Sequence, residues 1–110
     1  MDEQELLMNE IHTLEAEYED WNYNMRKAFE QVSIIEESSF SNSADINNMR
    51  ELVGTSSMEI QALLDEKEQL FNSIRQNNCK YYEYLEENYR ENNRNYEEKI
   101  GSLYDELRTY

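Results

Sequence analysis

Apolar residues recur every three or four positions from the N-terminus onward, for four heptads without interruption. This spacing places one apolar seam along an α-helix that packs lengthwise against another helix. We therefore predict a first helix over about residues 3–37, with the seam in its core. The seam residues are Leu7, Ile11, Leu14, Tyr18, Trp21, Met25, Ala28, Val32 and Ile35.

A polar stretch over residues 38–45 interrupts this pattern with Ser, Asn and Asp side chains. Such side chains hydrogen-bond the neighbouring backbone and favour turns and helix N-caps. We therefore predict a loop over 38–45, with Ser43 or Asp45 as the cap of the helix that follows.

A second run with helical spacing predicts another helix over about residues 46–108. Within it, Ile60, Leu63, Leu70 and Ile74 are the residues expected to complete the hairpin core. Two interruptions are candidate breaks: residues 54–57, where Ser56 and Glu59 have the spacing of a capping box, and residues 76–79. The sequence thus predicts an all-α, single-domain fold, an antiparallel hairpin of two helices.

The second predicted helix is much longer than the first. At 1.5 Å per residue the two helices would span about 95 Å and about 52 Å, so residues 82–110 would overhang the hairpin. A lone helix in water does not stabilise an apolar stripe by itself. Tyrosine is enriched at interfaces, and most of the nine tyrosines lie in this region. We therefore expect a partner to bind the stripe formed by Tyr81, Leu85, Tyr89, Tyr96, Ile100, Leu103 and Leu107.

Composition and charge argue against several classes of protein. The chain has 110 residues, no proline, two glycines and a formal net charge of −15. A Rossmann or P-loop enzyme needs glycine-rich phosphate loops, and nucleic-acid binding needs clustered Lys and Arg. Neither pattern is present, and no apolar run is long enough to cross a bilayer. Residues 1–65 carry 15 acids and 3 bases, which would suit a partner with a basic face.

The sequence offers no catalytic, cofactor or metal-binding constellation. His12 is the only histidine and Cys79 the only cysteine, so neither has a second ligand of its kind. The carboxylates lack the spacing of calcium loops and of di-iron bundles. We interpret most of them as a solvated helix face, and we expect no enzymatic activity and no cofactor.

In length, acidity and helical-hairpin pattern the chain resembles the WXG-type proteins of bacterial type VII secretion. It is more similar to their relatives, the small helical partners encoded with LXG toxins. Tyr82 and Glu86 have the Tyr-x-x-x-Asp/Glu spacing of the export signal in this family. The resemblance implies an adaptor that binds the long helical domain of a toxin, alone or with a second small helical partner, and directs it to the secretion system.

Two other functions stay open at the level of sequence. One is a homo-oligomeric coiled-coil scaffold, whose Asn77, Asn78, Asn92 and Asn93 would fix the register. The other is an acidic inhibitor or antitoxin that mimics a phosphate backbone. The first twenty residues hold eight acids and no base, so no cleavable secretion signal is predicted. We expect synthesis in the cytoplasm, with export alongside a partner as an open alternative.

Overall fold

Two long helices form an all-α hairpin in the computed structural model, which describes residues 2–54 and 57–110. Helix α1 spans Glu3–Val53 with 51 residues, and helix α2 spans Met58–Leu107 with 50 residues. The predicted all-α hairpin is therefore confirmed. The capping box predicted at Ser56 falls outside the described residues.

Short polar side chains and one glycine fix the helix ends. The Asp2 carboxylate accepts a hydrogen bond from the Glu5 backbone N–H at 2.8 Å, which caps the start of α1. The Ser57 hydroxyl oxygen accepts one from the Ile60 N–H at 3.3 Å at the start of α2. Gly54 follows α1 with a φ of 59°, a left-handed conformation that a residue with a Cβ rarely adopts. The chain therefore turns at Gly54, within one of the two interruptions weighed in the sequence.

The predicted loop over residues 38–45 is wrong, because α1 continues through it. Ser39 is buried, and the small side chains of Asn42 and Ser43 are half-buried. The Arg75 guanidinium reaches the backbone carbonyl of Ser39 from α2 at 3.5 Å. Tertiary packing thus holds in a helix residues whose local preference is for turns.

The predicted overhang of the second helix is also wrong, because the turn lies later in the chain and the two helices have nearly equal lengths. Leu103 on α2 is buried with Leu7 and Ile11 on α1. The Tyr110 hydroxyl, at the end of the chain, donates a hydrogen bond to the Glu3 carboxylate at 3.0 Å. The C-terminal turns of α2 therefore pack against the first turns of α1.

Helix α2 also runs without a break through residues 76–79, where the second interruption was predicted. The Asn78 side-chain amide donates a hydrogen bond to the backbone carbonyl of Val32 at 3.0 Å. The polar residue that suggested a break therefore faces the other helix and has a partner there.

The contacts divide the hairpin into two units, each built from both helices. The terminal unit comprises Met1–Ala28 and Tyr84–Tyr110, and the loop unit comprises Phe29–Glu83. The two differ in what lies between their helices, and this difference positions the candidate site.

Candidate functional site

Aliphatic and aromatic side chains fill the seam of the terminal unit. Leu7, Ile11 and Leu103 form a buried cluster, and partly buried residues pack around it: Leu14, Ile100 and Leu107. Further along the unit the rings of Tyr18 and Tyr96 stack with centroids 3.8 Å apart, and Trp21 stacks on Tyr89 at 5.5 Å. This unit therefore has an apolar seam of the kind that the heptad pattern of α1 predicts.

Most residues predicted to bind a partner lie in this seam. Leu85 and Leu103 are buried, whereas Tyr89, Tyr96, Ile100 and Leu107 are half-buried. Tyr81 is the one member of the set that is exposed. The prediction of an exposed C-terminal stripe is therefore wrong, because these six side chains pack within the hairpin. That these residues bind a partner stays a prediction, but the exposed stripe that suggested it is absent from the described residues.

The predicted export motif has no special geometry in the structure. The Tyr82 ring lies edge-on to Phe29, with centroids 5.6 Å apart in the loop unit. In the terminal unit, Glu86 is half-buried, and its carboxylate lies 3.6 Å from the Arg90 guanidinium one turn later. The role of Tyr82 and Glu86 in export stays a prediction.

Acidic groups and burial raise the pKa of several tyrosines in the terminal unit above the ordinary value of 10.0. Burial is the largest cause for Tyr18 and Tyr96, and the carboxylates of Glu15 and Glu19 add to the effect at Tyr96. For Tyr104 the largest cause is the hydrogen bond of 2.5 Å that its hydroxyl donates to Glu15. Packing and hydrogen bonding therefore favour the neutral phenol at these positions.

These pKa shifts predict a loss of stability in alkaline solution. Because the folded-state pKa lies above the unfolded value, the stabilisation is fully present below pH 10 and is lost as the pH rises through the folded-state pKa. We expect the midpoint of urea unfolding, followed by Trp21 fluorescence, to hold between about pH 9 and about pH 10 and to fall from there to about pH 11. In Tyr18→Phe this fall should be smaller, since one of the titrating groups is gone. An unchanged midpoint over this range would contradict the burial of the tyrosines.

The seam of the loop unit is much more polar. Val32, Ile46 and Leu64 are buried there, but charged and amide groups lie between them. The Arg50 guanidinium on α1 binds Asp65 at 2.7 Å and Glu68 at 2.5 Å on α2. Together with the side chains of Arg75 and Asn78 that reach backbone carbonyls of α1, these contacts fix the register of the helices through directed polar bonds.

Four aliphatic side chains of α2 in the same unit face solvent. They are between 36% and 59% exposed and recur at helical spacing, and we call them the outer stripe: Ile60, Leu63, Leu70 and Ile74. These are the α2 residues predicted for the hairpin core, and that prediction is wrong. The residues that face α1 lie one position later along the chain, at Gln61, Leu64, Phe71 and Arg75. A shift of one position turns a helix by about 100°, which moves the apolar row out of the seam.

A groove runs along one side of the loop unit, with a volume of about 460 Å³. We call it the side groove, and its lining includes Val32, Ser33, Glu36, Phe40, Arg75, Asn78, Cys79 and Tyr82. The Phe40 ring is 73% exposed, and the Arg75 guanidinium lies 6.0 Å from its centre. The sequence pattern did not single out Phe40, because this residue lies in the stretch predicted as a loop.

Helical geometry places the outer stripe on the side of the hairpin away from the side groove. On α1, the positions three residues after Val32 and Ile46 turn toward that same side, and they carry Ile35 and Met49. Both side chains are exposed, as is Leu52. The loop unit therefore presents an exposed apolar face to which both helices contribute.

Metal sites and membrane spans are two further features that bear on function. In residues 2–54 and 57–110, no group of three or more His, Cys, Asp or Glu side chains is placed to hold a metal ion. In the same part of the chain, neither helix is apolar enough over a sufficient length to cross a membrane. Comparison with protein-family models, curated proteins and solved structures found no match.

Proposed function

We propose that this chain is a non-enzymatic binding subunit that joins a helical domain of another protein by side-by-side helix packing. The observation that supports this proposal is the outer stripe on α2. In one stretch of helix, aliphatic side chains face solvent, whereas charged and amide groups face the other helix. An exposed apolar row with helical spacing is the usual binding face for a partner helix.

The size of the stripe indicates what kind of partner fits. Burying an aliphatic side chain completely contributes about 1.5–3 kcal/mol, so four half-exposed ones contribute roughly 3–6 kcal/mol. Association itself costs about 4–15 kcal/mol, because the two molecules lose translational and rotational freedom. A single short helix on the stripe would therefore bind weakly. A long helical domain that also covers Ile35, Met49 and Leu52 would bind more tightly.

The resemblance to small partners of LXG toxins supplies the partner class for this proposal. A toxin domain built of long helices would be long enough to cover the exposed apolar face of the loop unit, and it would carry apolar stripes of its own to pack there. The formal charge of −15 would favour a domain with a basic face. We therefore propose that the partner is such a domain and that the chain helps to direct it to the type VII secretion system.

Co-expression with the long-helix domain of an LXG toxin tests the proposal. We expect the two chains to co-elute on size exclusion, with a Kd in the nanomolar to micromolar range. Leu63→Glu with Leu70→Glu should weaken the complex at least about a hundredfold, because two carboxylates would be buried at the interface. These positions are exposed, so the variant should keep the helical circular dichroism of the parent.

The matched control is Gln69→Glu with Gln76→Glu. It adds the same charge at the same spacing on the same helix, at exposed positions outside the outer stripe. We expect it to bind the toxin domain within about threefold of the parent. Equal weakening in both variants would point to general charge repulsion, and no weakening in either would remove the outer stripe as the binding face. Absence of co-elution for the parent chain would refute the proposed function itself.

A further inference from the structure

We propose that a second copy of this chain covers the outer stripe when no partner is present, with α2 packed antiparallel on α2 of the second copy about a two-fold axis. The proposal rests on the proposed function in one respect, because it assigns a regulatory occupant to the same face. It concerns residues of the loop unit alone.

The charges along one edge of the stripe argue for a second copy in this orientation. Glu59, Glu66, Ser73 and Lys80 follow one another at intervals of seven residues, and all four are exposed. The row is acidic at the N-terminal end and basic at the C-terminal end. An antiparallel copy sets Glu59 opposite Lys80 of the second copy, and the symmetry repeats that pair at the other end. In a parallel pair the two copies of this row would lie on opposite edges of the interface, so Glu59 and Lys80 would form no such pairs.

The apolar residues fit the same register. When Leu63 lies level with Ile74 of the second copy, a pair that the two-fold axis repeats, Glu59 and Lys80 flank the apolar row about two residues, roughly 3 Å, out of line, which their long side chains span. Lys67, an exposed residue in the middle of the stripe, then lies opposite Leu70. The lysine stem packs on the leucine while its ammonium group stays in water at the edge. One register thus satisfies both the apolar row and the charged row.

The charge of the chain as a whole does not oppose this contact. The acids nearest the seam, Asp65 and Glu68, are already bound by Arg50. Most of the remaining acids belong to the terminal unit, where they are divided almost equally between its two segments. Within the loop unit, α2 carries five acids and three bases, so pairing it with itself brings together less like charge than a dimer that paired α1 with itself.

The consequence is competition for one face. A second copy and a helical partner would bury the same leucines, so a partner would bind the monomer and shift the dimer toward dissociation. The apolar face would then be covered both before and after the partner arrives.

Sedimentation of the purified full-length chain tests this proposal without any partner. At roughly 100 µM we expect a dimer with a micromolar Kd. Leu63→Glu with Leu70→Glu should be a monomer with unchanged helical circular dichroism, and Gln69→Glu with Gln76→Glu should remain a dimer. A parent chain that is monomeric at this concentration, or a dimer that the stripe variant leaves intact, would overturn the proposal.

A charge exchange tests the orientation. Glu59→Lys or Lys80→Glu alone should raise the Kd of the dimer about tenfold, since each turns two attractive pairs into repulsive ones. The double variant Glu59→Lys with Lys80→Glu should return the Kd to within about threefold of the parent. Failure of the double variant to recover would overturn the antiparallel register. A dimer that binds no toxin domain would refute the proposed function alone, and a monomer that binds one would refute the dimer alone.

Discussion

Leu103→Asp is expected to unfold the terminal unit. Leu103 is buried against Leu7 and Ile11, and Ile11 is only 2% exposed. Truncation of a core leucine costs about 2–5 kcal/mol, and an unpaired carboxylate in the cavity adds to that cost. The free energy of unfolding of a small domain is about 5–15 kcal/mol, so most of the stability is lost. Trp21 fluorescence should shift to that of a solvent-exposed indole, and helical circular dichroism should fall.

The control for this variant is Ser102→Asp, which adds the same carboxylate one residue earlier at an exposed position of α2. It should change the free energy of unfolding by no more than about 0.5 kcal/mol. If Leu103→Asp were as stable as this control, the C-terminal turns of α2 would not pack on α1. The apolar residues near the end of α2 would then be exposed, as the sequence suggested, and would again be candidates for binding a partner.

The sequence predicted the α1 seam well because nothing disturbs it. From Leu7 to Val32 the heptad spacing is unbroken, and the structure buries or half-buries these residues toward α2. Hydrophobic periodicity is a strong signal where each apolar residue has a partner in the same molecule. The residues that pack against them, such as Ile100 and Leu103, were seen as an apolar row but were assigned to a foreign partner.

The position of the turn was not predictable from local preference. Ser39, Asn42 and Ser43 have stronger turn preferences than most of their neighbours, yet they lie in α1 because α2 packs on them. Gly54 follows the last residue of α1, but the sequence pattern suggested only a candidate break there, within the second helix. Moving the turn to Gly54 lengthens the first helix, shortens the second and removes the overhang. One misplaced turn therefore changed the predicted location of the binding face.

The register of α2 in the loop unit was not predictable from hydrophobicity either. The run from Ile46 to Ile74 looks like one seam, but the turn at Gly54 places its two halves on different helices. Past the turn, polar groups specify the alignment, among them the pairs from Arg50 to Asp65 and to Glu68. The half-buried Arg50 and its two carboxylate partners specify the register here at the expense of apolar burial, which leaves the aliphatic row of α2 outside.

The second prediction compares the loss of stability caused by substitutions at two adjacent leucines of α2, Leu63 and Leu64. Leu64 is 4% exposed and faces α1, whereas Leu63 is 52% exposed and belongs to the outer stripe. Leu64→Asp should lower the free energy of unfolding by about 3–5 kcal/mol, through the lost core packing and the buried carboxylate. Leu63→Asp should lower the free energy of unfolding of the monomer by only about 1 kcal/mol, because no more than the packing of its buried half is lost.

The most direct measurement is urea unfolding of these two variants and the parent, followed by circular dichroism at a concentration below about 1 µM, where self-association adds little to stability. The account predicts a large loss for Leu64→Asp and a loss several-fold smaller for Leu63→Asp. The reverse order would place Leu63 in the seam, in the register that the sequence alone suggested. The outer stripe would then be hairpin core, with no face left on α2 for a partner or a second copy.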